Sequence, residues 1–81
     1  MSQDNPNHVY YSNRANVYNL LNKYQNAIED CDTAIKIDPK FVKSYFRKAK
    51  AQHMLRNFKG ALESAKLGLD LEPDNKEMKE M

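Results

Sequence analysis

Eighty-one residues allow one small domain, and a chain that is 41% hydrophobic and 30% charged has the composition of a globular protein in water. Thirteen basic against 11 acidic residues leave a net charge of +2, too small to hold nucleic acid or an anionic membrane by bulk electrostatics; a charge-based function has to come from local clustering. There is no apolar run near the roughly 18–20 residues of a membrane span, Met1-Ser2-Gln3-Asp4-Asn5-Pro6 lacks the basic and apolar parts of a signal peptide, and the lone Cys31 cannot form an internal disulfide, so a reducing, cytoplasmic setting is expected.

Residues 1–7 read as a polar lead-in, with a turn at Asn5-Pro6-Asn7. From His8 the pattern turns helical: Tyr11, Ala15 and Tyr18 form one stripe, Val9, Asn13, Asn16 and Leu20 another. Asn22-Lys23 interrupts it. A second helical pattern, carried by Tyr24, Ala27, Ile28, Cys31, Ala34 and Ile35, runs to Ile37 and stops at Asp38-Pro39, because proline restricts the residue before it. The same events then recur: a helix from Phe41 to Leu55, a turn at Arg56-Asn57, a helix from Phe58 to Leu71, and a stop at Glu72-Pro73.

The recurrence has one constant offset of 34, which pairs Tyr11 with Tyr45, Ala15 with Ala49, Leu21 with Leu55, Tyr24 with Phe58, Ala27 with Ala61, Ala34 with Gly68 and Pro39 with Pro73. This predicts an all-α chain of two tandem helix-turn-helix units, 8–41 and 42–75, stacked as a short right-handed solenoid. Small residues recur where helices must approach closely, and Tyr24 and Phe58 recur where a large ring can plug a hairpin. Asp74 followed by Glu77 reads as a capping box for a further helix over 76–81, with Met78 and Met81 as its apolar edge.

One stretch, Lys43 to Lys50, puts Lys43, Arg47 and Lys50 at i, i+4 and i+7 on one helical face, with Met54 continuing the stripe. Such a stripe is either a solvated face or a seat for carboxylates. The repeat favours the seat, since the first helices of stacked units line a concave surface, and the matching stripe of unit 1 is Val9, Asn13, Asn16 and Leu20.

The 34-residue period, the early aromatic, the small residues, the aromatic after the turn and the terminal proline resemble the tetratricopeptide repeat. Ser12-Asn13-Arg14-Ala15, and Lys43 with Arg47-Lys48-Ala49, resemble the second and third repeats of co-chaperones that bind the 70-kDa and 90-kDa heat-shock chaperones. The resemblance implies a carboxylate clamp for a tail ending Glu-Glu-Val-Asp, with Asn13, Lys43 and Arg47 in clamp positions. Asn16, Leu20, Lys50, His53 and Met54 would then meet residues upstream of the tail's end. The family's first repeat supplies a further Lys and Asn with no counterpart here. Two charge-assisted bonds at roughly 1.5–3 kcal/mol each imply weaker binding by about two or more decades.

An alternative reading is an assembly module that pairs with its own copy or a partner helix through an apolar flank and leaves the basic stripe unused. Arg14 and Lys48 point away from the clamp and are expected to pair with acidic neighbours. Cys31 falls on a buried stripe, and His8 and His53 lack ligand spacing, so no metal or cofactor is implied. No phosphate loop, nucleophile elbow or paired-histidine motif suggests catalysis.

Overall fold

The computed structural model describes residues 7–71; the lead-in up to Pro6 and the expected 76–81 helix, with Met78 and Met81, lie outside them. The described residues form four helices and no strand: α1 (His8–Leu20), α2 (Tyr24–Ile37), α3 (Val42–Met54) and α4 (Phe58–Leu71). α1 packs on α2 and α3 on α4, and the second hairpin stacks on the first through contacts of α3 with both α2 and α1.

Helix boundaries follow local chemistry. Asn7 caps α1, its side-chain oxygen accepting from the Tyr10 N–H at 3.1 Å. α1 ends in a paired turn in which the Lys23 N–H reaches Tyr18 O at 2.8 Å and the Asn22 N–H reaches Asn19 O at 3.1 Å, with Asn22 at φ 63°. α3 ends the same way: Asn57 N–H to Gln52 O at 2.8 Å, Arg56 N–H to His53 O at 2.9 Å, and Arg56 at φ 67°. The repeat is thus copied down to the backbone conformation of its turn residue. Between the hairpins, Tyr45 donates its hydroxyl to Pro39 O at 2.7 Å and pins the connector to α3.

The core is built from small residues. Ala15, Ala27, Cys31 and Ala51 are fully buried together, with Tyr18, Tyr24 and Ile28 packed around them. Close approach is what small side chains permit, and it leaves little tolerance for added volume. In unit 2 the bulk is redistributed: a Cβ on Gly68 would collide with the Phe46 ring, whereas the matching positions of unit 1 are Ala34 and Ser12. Burial pushes the Cys31 thiol up to about 12, the pattern of an inert core residue.

Two ion pairs clip the helices. Arg14 donates from Nε and Nη2 to the two carboxylate oxygens of buried Asp30 at 2.7 and 2.9 Å, tying α1 to α2, and its guanidinium lies 5.3 Å from the Tyr10 ring centroid. The bonds to Asp30 raise the already high pKa of Arg14. Lys48 Nζ meets Asp32 Oδ1 at 2.6 Å and ties α3 to α2 across the hairpin junction. Both cations therefore pair with acidic neighbours, as their positions beside the clamp residues suggested.

Two outcomes follow. Arg14→Ala strands a buried carboxylate and should cost about 2 kcal/mol in urea unfolding, against under about 1 kcal/mol for Lys48→Ala, whose partner faces water. The Cys31 proton is held in the folded chain above pH 9, where an unfolded thiol loses it, so its contribution to stability declines as pH rises from about 9 toward about 12. In the folded chain Cys31 should resist thiol reagents at pH 8 and react fully in denaturant; rapid labelling without denaturant would contradict its burial.

Candidate peptide-binding face

The stripe on α3 is organised by α1. Arg47 donates from Nη1 to Ser12 Oγ at 2.8 Å and to Asn13 Oδ1 at 3.3 Å, and the Asn19 side-chain amide donates to the Arg47 backbone oxygen at 3.2 Å. Ser12 and Asn19 are buried, so the two bonds they make form where water competes poorly, whereas the longer bond to Asn13 is exposed. The guanidinium is held across the hairpin junction by one nitrogen, Nη1, and its Nε–Nη2 edge has the fork geometry that can pair with a carboxylate.

Asn13 gains a direction from the same contact. With Oδ1 turned to Arg47, its Nδ2 is the end left to donate to a ligand, the sense an anion requires. Lys43, Arg47 and Lys50, with Phe46, line a pocket of about 320 Å³. Lys43 and Lys50 are exposed and Arg47 half-buried, which sets one fixed planar fork between two mobile point charges. The site can hold an anionic peptide by charge and geometry. Among the described residues no group of three or more His, Cys, Asp or Glu side chains is placed to hold a metal ion, and no helix is long and apolar enough to cross a membrane.

The structure brings Asn13 and Arg47 into contact, with Lys43 and Lys50 beside them. Asn16 is half-buried on α1, while Leu20 and Met54 are exposed at the ends of their helices. His53 turns toward α4, edge-on to Phe58 at 5.1 Å between ring centroids, and lines a second, apolar groove between α3 and α4 that Lys50 also borders.

Three participants escaped the sequence reading. Ser12 and Asn19 are polar residues whose burial depends on α3 arriving beside them, and Phe46 lies off the charged stripe. The available signal was position alone, because Ser12 stands next to Asn13 and is the repeat counterpart of Phe46.

Residues 8–41 match the family model for the tetratricopeptide repeat. Over 70 residues, 86% of this chain and 12% of the relative, the sequence is 51% identical to the translocon at the outer membrane of chloroplasts 64 of Pisum sativum. Over 68 residues, 84% of this chain and 12% of the relative, it is 35% identical to the Hsp70-Hsp90 organizing protein 2 of Arabidopsis thaliana. Among solved structures, the second TPR domain of the human RPAP3 protein in complex with the HSP70 peptide SGPTIEEVD aligns with a TM-score of 0.83 at 34% identity, covering 88% of this chain and 59% of that one. The chain thus spans about an eighth of the length of these two curated relatives. With the repeat model matched over residues 8–41, the second hairpin repeating it, and a solved TPR domain superposing on the stack, the chain belongs to the tetratricopeptide repeat family and is a protein-interaction module of that family.

Proposed function

We propose that this module binds the acidic C-terminal tail of a heat-shock chaperone of the 70- or 90-kDa class, through a partial carboxylate clamp of Asn13, Lys43 and Arg47. The observation that carries the reading is the cross-hairpin hold on Arg47 by Ser12 and Asn13, which fixes a guanidinium fork between two lysines before any ligand arrives. Preorganised donors lose less entropy on binding than mobile ones. The HSP70 peptide bound by the RPAP3 domain ends in Glu-Glu-Val-Asp, so its last residue carries a side-chain and a terminal carboxylate. Arg47 and Lys43 take those two groups, and Asn13 donates through Nδ2. Lys50 and Asn16 meet the upstream glutamates, Leu20 and Met54 the apolar residue before them, and His53 stands at the edge.

The test is a titration of an EEVD-ending peptide with a free carboxylate against its amidated twin, at low and moderate salt. The free acid should bind at least about ten-fold tighter, the gap should narrow with salt, and Arg47→Ala should cost about 10- to 100-fold, the worth of a charge-assisted bond. Ser12→Ala removes only the support for Arg47 and should cost a few-fold, with the preference for the free acid reduced. Equal binding of the two peptides, or affinity indifferent to Lys43→Ala and Arg47→Ala, contradicts the proposal.

A further inference from the structure

The four helices alternate in direction, so α1 and α3 end, and α2 and α4 begin, at one end of the stack. His8 at the start of α1 lies edge-on to Phe41 just before α3, with 4.6 Å between ring centroids, which holds the two starts together and sets both hairpin turns at the opposite end. That end carries Leu20-Leu21-Asn22-Lys23 and Met54-Leu55-Arg56-Asn57.

Its four large apolar side chains stay open whatever flanks them. Leu20 is 69% exposed although α3 packs on its helix, and Leu55 is 46% exposed although unit 1 packs against α3. Their repeat counterparts, Met54 and Leu21, are exposed as well, so the openness belongs to the turns themselves. Phe58 is not one of this set, because its counterpart Tyr24 is half-buried where α3 seats beside unit 1.

Charge is sorted the same way. Lys23, Arg56 and Lys59 are exposed at this end, and residues 19–26 and 53–60 contain no Asp or Glu. The acidic residues of α2 and α4 begin at Glu29 and Glu63, more than a helical turn down each helix. The net charge of +2 conceals this separation. Arg56 adds an independent sign: it holds φ 67°, the left-handed turn position that glycine and asparagine adopt most readily and that Asn22 fills in unit 1. A cation thus stands at the second tip against the local backbone preference.

We infer that the hairpin-turn end docks weakly and reversibly on an anionic lipid bilayer, with Leu21 and Leu55 entering the headgroup layer and Lys23, Arg56 and Lys59 meeting lipid phosphates. Two projecting apolar tips flanked by cations fit a soft, flat, negative surface, where binding grows with apolar area and with charge together. Each cation held near such a surface is worth about five-fold in partition, and that part is screened by salt. The tips are separate from the stripe of Lys43, Arg47 and Lys50, and the inference does not rest on tail binding.

The probe is cosedimentation of the 81-residue chain with vesicles of phosphatidylcholine alone and of phosphatidylcholine mixed with an equal part of phosphatidylserine. At low salt the chain should partition at least about five-fold more strongly onto the mixed vesicles. Arg56→Asn, which installs the residue of unit 1 and suits the turn, should lower that partition about five-fold with the urea midpoint unchanged or raised. Leu21→Ser/Leu55→Ser should lower it about ten-fold with helical content unchanged, and a lipid spin-labelled just below its headgroup should broaden the amides of Leu21 and Leu55 before others. Equal partition onto the two vesicles, or indifference to Arg56→Asn and to the leucine pair, would overturn the inference. So would a loss produced by Lys43→Ala/Lys50→Ala and not by Arg56→Asn, which gives lipid binding to the stripe. Tip amides shifted by soluble polyglutamate and untouched by the mixed vesicles would also overturn it, giving the tips to an acidic polypeptide.

Discussion

The close approach of α1, α2 and α3 at Ala15, Ala27, Cys31 and Ala51 is the constraint on which the remaining geometry depends. All four side chains are fully buried, and none is large enough to keep the helix axes apart. Because α3 comes this near, its Arg47 reaches Ser12 and Asn13 of α1, Asn19 reaches the Arg47 carbonyl, and Lys48 reaches Asp32 of α2. Bulk at any of the four positions would push the second hairpin outward, and the polar contacts would lengthen together.

The consequence for the proposed function lies in how rigidity is distributed along the candidate binding face. Long basic side chains on an isolated helix lose rotamer freedom when they grip a ligand. Here Arg47 has surrendered that freedom on folding, and the same bonds turn the Asn13 amide so that it donates outward. Lys43 and Lys50 stay exposed on flexible stems, which in the proposed function would suit acidic groups whose positions differ from one tail to another. The tie between α1 and α2, Arg14 with Asp30, holds the hairpin that presents Ser12 and Asn13.

Much of this was legible in the sequence because a repeat converts arithmetic into geometry. The constant offset located the four helices and both turns, including the turn positions that Asn22 and Arg56 occupy at positive φ, and it set Asn13 on the stripe aligned with Arg47. Burial of Cys31 followed from helical period alone. What stayed hidden depended on a second helix arriving. Ser12 and Asn19 are polar and look like surface residues until α3 buries them, and the direction of His53 is decided by the Phe58 ring on α4.

The central claim is that a guanidinium and an amide, preset across the junction of two hairpins, receive the carboxylates of a peptide's last residue. The most direct measurement is a side-chain NMR titration with an EEVD-ending peptide, following the Arg47 Nε–H and the Asn13 Nδ2 amide. The account predicts that both signals move in step and saturate together with the free-acid peptide, and remain in place with the amidated one. Shifts confined to the α3–α4 groove around His53 and Phe58, with Arg47 and Asn13 unmoved, would contradict it.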